Sequence, residues 1–224
     1  IDNASPTVTV TGAPASVNSL TAFSVTITFN ETVTGFTIGD VVVTNGSASN
    51  FNGSGASYTA DITPSGAGTV NIAIPGNAAQ DLAGNNSIVS SPVNVLYDAT
   101  APTVAITGAP ASRNTNTFPV TITFSEAVTG FVMGDITLVN ATASNFSGSG
   151  TTYAADITPN GAGNITIDVA AAVAQDAASN NNTAAAQVAV TYDVSAPSVT
   201  ISGAPAAKNN TTTWSLFYKG WRCT

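Results

Sequence analysis

The sequence contains no histidine and a single cysteine, Cys223. Without His the usual general base is missing, and neither a Ser-His-Asp nor a Cys-His nucleophile can be assembled. Zinc sites built from Cys and His fall for the same reason, and one cysteine makes no disulfide framework. Charge is scarce too: 7% of residues are charged, 12 acidic against 4 basic, giving a net charge of −8. Up to Ala207 the one basic side chain is Arg113. Such a surface repels phosphate backbones and anionic lipid, so neither nucleic acid nor a membrane surface is an expected partner. No apolar run approaches the ~20 residues needed to span a bilayer, so no membrane insertion is expected. A phosphate-binding G-x-x-x-x-G-K-[ST] loop is also missing. The only glutamates, Glu31 and Glu126, hold matching places in a repeat, which suits structure better than paired-carboxylate catalysis. The chain is not expected to be an enzyme.

What the sequence does hold is repetition. "SPTVTVTGAPAS" from Ser5 returns as "APTVAITGAPAS" from Ala101 and as "APSVTISGAPAA" from Ala196. "FSVTITFNETVTGF" from Phe23 returns as "FPVTITFSEAVTGF" from Phe118. Pro6 thus reappears as Pro102 and Phe29 as Phe124, a period of about 95 residues. Hydrophobic residues reach 43%, and Val, Ile, Thr and Phe alternate with polar residues in short runs, the pattern of half-buried strands. In "FSVTITF" Phe23, Val25, Ile27 and Phe29 share one face. Turn pieces such as "TNGS", "NGSG" and "LAGNN" separate the runs. In the first repeat strands are expected near residues 7–11, 23–29, 40–44, 48–51, 57–63, 69–74 and 92–97. About seven strands per repeat, each with one apolar face, predict an all-β chain of tandem immunoglobulin-like β-sandwiches. The expected domains are 1–97, 98–192 and, from 193 to 224, the start of a truncated third repeat. Its tail, "NNTTTWSLFYKGWRCT", leaves the pattern and is expected to be loose. The chain opens in mid-motif without an initiator Met, as a fragment of something longer would.

The aromatics Phe29, Phe36, Phe51, Tyr58 and Tyr97 recur as Phe124, Phe131, Phe146, Tyr153 and Tyr192. Their inward phase predicts core packing and not a sugar-stacking platform. The acids recur too. Asp2 matches Asp98 and Asp193, Glu31 matches Glu126, Asp40 matches Asp135, Asp61 matches Asp156 and Asp81 matches Asp176, leaving Asp168 alone. Tracing strands back and forth through a sandwich brings Asp2, Glu31, Asp40 and Asp81 to one pole of repeat 1. The same path brings Asp98, Glu126, Asp135 and Asp176 to the junction between repeats, with Asp61 approaching from the other side. Two roles stay open for these residues. They can bind calcium, which takes six to eight oxygen ligands, or they can form Asx turns and caps. Calcium is the expected cofactor of the set. Ser179 stands where repeat 1 has the turn glycine Gly84, so the second loop is expected to suit the turn less well.

"YDATAPTV", "FSEAVTGFVMGDITLVN", "YAADITPNGAG" and "AQDAASNN" resemble the bacterial immunoglobulin-like repeats of very large surface adhesins and biofilm-associated proteins. The resemblance runs from Asp2 to about Ala207. It implies a secreted or cell-surface protein whose repeats are extenders that hold an adhesive tip away from the cell. It further implies that calcium between domains stiffens the array. The implied partners are neighbouring repeats of the same chain, with cell-surface or matrix components reached through other domains. A glycan- or host-protein-binding module, or a spacer in a large secreted enzyme, are the alternatives.

Overall fold

The computed structural model describes residues 2–200, so the expectations for the tail from Ile201 onward lie outside the described residues. By contact the chain divides into residues 1–193 and 194–224. Within the second unit, residues 194–200 carry no strand and are exposed.

Repeat 1 holds β1 (Val8–Thr11), β2 (Ser16–Val17), β3 (Phe23–Phe29), β4 (Val42–Thr44), β5 (Gly46–Ser54), β6 (Ser57–Pro64), β7 (Gly68–Ala73) and β8 (Val93–Tyr97). Repeat 2 holds β9 (Val104–Thr107), β10 (Ser112–Arg113), β11 (Phe118–Val128), β12 (Ile136–Val139), β13 (Ala141–Pro159), β14 (Gly163–Val169) and β15 (Val188–Tyr192). β13 is a hairpin that folds back on itself and corresponds to β5 and β6 together.

Each repeat is a sandwich of two sheets. In repeat 1 their orders are β1-β3-β6-β5 and β2-β8-β7-β4; in repeat 2 they are β13-β11-β9 and β10-β15-β14-β12. The alternation read in "FSVTITF" is what fixes the faces: Val25, Ile27 and Phe29 are buried while Ser24 and Thr28 are exposed. They meet Tyr58, Ala60 and Ile62 of β6, Val70 and Ile72 of β7 and Val95 of β8 in one core. Repeat 2 builds its own core from Val120, Ile122, Phe124, Ile157, Ile165, Ile167 and Val190. Each such side chain, fully buried, stabilises by roughly 1.5–3 kcal/mol.

The recurrent aromatics lie where their phase predicts. Phe36 meets Phe29, Phe51 and Tyr58 edge-on with centroids 5.1, 5.5 and 5.0 Å away. Phe131 repeats this with Phe124, Phe146 and Tyr153 at 5.2, 5.8 and 5.0 Å. Two features differ from the sequence reading. The two-residue β2 runs parallel to β8 and is too short to show alternation. Asp40, expected to open a strand, closes a 3-10 turn at Ile38–Asp40 before β4.

Candidate functional site

Three segments build the acidic group at the start of each repeat. The linker is laid against the segment after β7 by backbone bonds, Ile88 N–H to Pro6 O (2.9 Å) in repeat 1 and Thr183 N–H to Pro102 O (2.8 Å) in repeat 2. The segment after β3 is tied to the same region. Thr34 and Gln80 exchange backbone bonds of 2.8 and 3.0 Å, and Thr129 and Gln175 exchange bonds of 2.7 and 3.0 Å. Glu31 and Asp81 flank the first pairing, and Glu126 and Asp176 flank the second. As a result, carboxylate oxygens of Asp2, Glu31 and Asp81 come within 4.8 Å of one another, and so do those of Asp98, Glu126 and Asp176.

Asp81 and Asp176 are the buried members, at 5% and 6% exposure. An asparagine four residues on holds each of them. Asn180 donates its backbone N–H to Asp176 Oδ1 and its side-chain amide to Asp176 Oδ2, both at 2.8 Å. Ala178 N–H adds a third bond at 2.8 Å. The Asn180 amide also donates to Asp98 O at 2.8 Å, fastening the linker to the loop. Asn85 does the same for Asp81 and for Asp2 O (3.1 Å). Sequence reasoning treated these asparagines only as turn residues; the recurring Asp-x-x-x-Asn spacing was the available signal.

The remaining candidates go elsewhere. Asp40 Oδ2 accepts from Thr37 N–H at 2.9 Å and from the Thr37 hydroxyl at 2.8 Å, and Asp135 Oδ2 accepts from Val132 N–H at 2.8 Å. Both therefore cap their own 3-10 turns and stand outside the two acidic groups. Asp61 is held by the Asn50 side chain, as Asp156 is by Asn145, each at 2.8 Å. Asp2 and Asp98 do form Asx turns, accepting from Ala4 and Thr100 N–H at 2.9 Å. One carboxylate can make such a turn and still face its group, so the two roles coexist. Ser179 adopts φ 69°, close to the 87° of Gly84. It donates its N–H to Asp176 O at 3.2 Å, as Gly84 does to Asp81 O at 3.3 Å. The turn survives the substitution.

Burial first and neighbouring like charge second act on the glutamate of each group. The carboxyl of Glu126 is pushed up, first by burial and then by Asp176 and Asp98; Glu31 is pushed up by burial, then by Asp81 and Asp2. Asp81 is held below the usual carboxylate range, chiefly by the Asn85 amide, with burial opposing. The signs differ in consequence. Stability linked to Glu126 is fully present below its ordinary range and lost as pH rises through its raised value. Stability linked to Asp81 is present at neutral pH and lost as pH falls. In chelator at neutral pH, Glu126→Gln should therefore stabilise the protein, by roughly 0.2–1 kcal/mol given solvent screening. Denaturant melts at neutral and mildly acidic pH should show that gain shrinking on acidification; a gain independent of pH would remove charge repulsion as its cause.

The donor set is hard oxygen throughout. Carboxylate oxygens that all lie within 4.8 Å of one another could share a single metal ion. Asp98, Glu126 and Asp176 would hold it at the junction, with Asp2, Glu31 and Asp81 as their counterpart.

No curated protein matches the chain. Among solved structures, invasin, a bacterial integrin-binding protein, aligns with 83% of this chain at 14% identity and a TM-score of 0.41; the chain spans 40% of invasin. The C-terminal domain of the Streptococcus agalactiae AgI/II polypeptide BspA aligns with 83% of the chain at 9% identity and a TM-score of 0.34, over 99% of its own length. A family model of the bacterial Ig-like domain matches residues 2–97 and again residues 98–194. With both repeats matched end to end, the chain belongs to the bacterial Ig-like domain family.

Proposed function

We propose that this chain is an extender segment of a secreted or cell-surface bacterial adhesin, non-enzymatic, whose repeats 1–97 and 98–192 are stiffened by calcium at their junction. The observation that carries this reading is the loop that begins at Asp176. Its carboxylate joins Asp98 and Glu126, and its backbone reaches repeat 1: Ser16 Oγ donates to Ala177 O at 2.8 Å and Asn18 Nδ2 to Ser179 O at 3.2 Å. A cation that orders the acids would order the carbonyls that contact the preceding repeat.

Each repeat carries both halves of this contact. Ser112 and Asn114 repeat Ser16 and Asn18 at the far end of repeat 2, and the loop from Asp81 repeats the one from Asp176. Leu82, in the place of Ala177, is 85% exposed. Head-to-tail surfaces of this kind generate open arrays rather than closed oligomers. Among the described residues no helix is long and apolar enough to cross a membrane, and extracellular placement suits the ion, since extracellular calcium modules bind at ~0.1–1 mM.

Small-angle scattering and melting curves in calcium and in chelator test the proposal. Calcium should lengthen and narrow the distance distribution. At ~100 times the dissociation constant it should add about 2.7 kcal/mol of stability, and Asp98→Ala should blunt both effects. Identical profiles in calcium and chelator would leave the acids as turn formers alone.

A further inference from the structure

We propose that Asn52–Gly53 is a self-modifying site at which the chain forms a succinimide and then an aspartyl or isoaspartyl residue. Gly53 N–H donates to Asn52 Oδ1 at 2.7 Å, so the backbone nitrogen is parked against the side-chain carbonyl of the preceding residue. Attack requires the backbone nitrogen to be held close to the side-chain carbonyl group, and this contact keeps the two groups adjacent. Both residues are exposed to water. They follow a break in register between Ser49 and Asn52, where Asn50 turns to φ 48°.

The chemistry balances with water alone. Hydroxide removes the Gly53 amide proton, and the nitrogen pair attacks Asn52 Cγ. The water so formed returns the proton to the departing nitrogen, the Cγ–NH2 bond breaks and ammonia leaves with hydroxide regenerated, closing a five-membered imide. Water then opens either carbonyl. One opening gives Asp at this position; the other gives isoaspartate, with the main chain routed through the side-chain carbon.

Asn-Gly also occurs at Asn160, which is exposed like Asn52 but for which the contact from the glycine N–H is not seen, and at Asn45, whose side chain is otherwise engaged. Its amide donates to Gly66 O at 2.9 Å and its oxygen faces the Ser65 hydroxyl at 3.2 Å. The fold itself keeps the glycine at position 53. A Cβ there would meet Ser57 O at 2.3 Å, and Gly148 in repeat 2 is under the same constraint from Thr152 O. Repeat 2 carries Ser147 before that glycine, so the reaction at this position of the fold belongs to repeat 1. Isoaspartate at 52 would lengthen the main chain just before Gly55 and Ala56, whose carbonyls accept from Val33 and Phe29 N–H at 3.1 and 2.8 Å and so brace the segment carrying Glu31.

The test is incubation of the folded two-repeat chain at mildly alkaline pH, followed by fragmentation mass spectrometry that separates Asp from isoAsp. The peptide carrying Asn52 should be lost first, yielding both products, at a rate that rises with pH and exceeds the rates at Asn45 and Asn160. Asn52→Ser, which installs the residue repeat 2 already tolerates, should abolish the products at this position. Persistence of Asn52 while Asn45 or Asn160 converts would overturn the proposal, and so would conversion to Asp without isoAsp, which marks direct hydrolysis instead of an imide.

Discussion

Asp176→Ala should cost repeat 2 about 2–4 kcal/mol even in chelator, and should abolish the response to calcium. The carboxylate is 6% exposed and accepts three N–H groups, from Ala178, from the Asn180 backbone and from the Asn180 amide. Bonds to a charged acceptor contribute roughly 1.5–3 kcal/mol each, and buried donors left without partners add a penalty; shared geometry and entering water keep the sum below simple addition. Asn180 would also lose the anchor that lets it grip Asp98 O, so linker and loop should loosen together. Asp98→Ala is the informative comparison. Asp98 is only partly buried and gives up one Asx bond, from Thr100 N–H. Its stability loss in chelator should be the smaller one, while its loss of calcium response should match. Urea melts of both variants with and without calcium separate the two. Equal losses in chelator would mean that the bonds to Asp176 do not support the loop.

The same residue shows how much was legible beforehand. Alternation in "FSVTITF" names the buried face of β3 without any structure, because a strand has two faces and a sandwich hides one. Recurrence of acids pointed to residues that the fold gathers into the two groups but could not sort them. A cap and a ligand recur alike when a domain is duplicated, so Asp40 and Asp135 looked no different from Asp81 and Asp176. What separates them is local: Asp40 finds Thr37 N–H three residues back on a 3-10 turn, whereas Asp81 is turned inward by Asn85. β2 escaped for another reason. Two residues, Ser16 and Val17, carry no period, and their pairing is to Leu96 and Tyr97 at the other end of the repeat. The junction contacts of Ser16 and Asn18 inherit that invisibility. Ser179 shows the reverse error, a residue type read as unfavourable that nonetheless takes the left-handed conformation of the turn.

A second large effect is expected at Gly148. It sits at φ +113°, and a Cβ there would lie 2.3 Å from Thr152 O and 2.7 Å from Tyr153 Cα. Both are backbone atoms of the facing arm of the β13 hairpin, so no rotamer change relieves the overlap. Left-handed strain and overpacking together should make Gly148→Ala cost about 3–5 kcal/mol. Shifting that arm moves Tyr153, which stacks on Phe146 with centroids 5.7 Å apart, meets Phe131 edge-on and donates its hydroxyl to Val128 O at 3.3 Å. The damage should nevertheless stop at the repeat. The buried clusters of the two repeats share no residue, and the side-chain contacts from Ser16 and Asn18 reach only the loop after Asp176. Calorimetry of Gly148→Ala should therefore show repeat 2 melting early, with the transition of repeat 1 close to its original temperature. That behaviour is what an extender requires, since a chain of modules keeps its length only if one failure does not propagate. A single transition shifted as a whole would show that the two repeats fold as one unit, and would count against the modular reading itself.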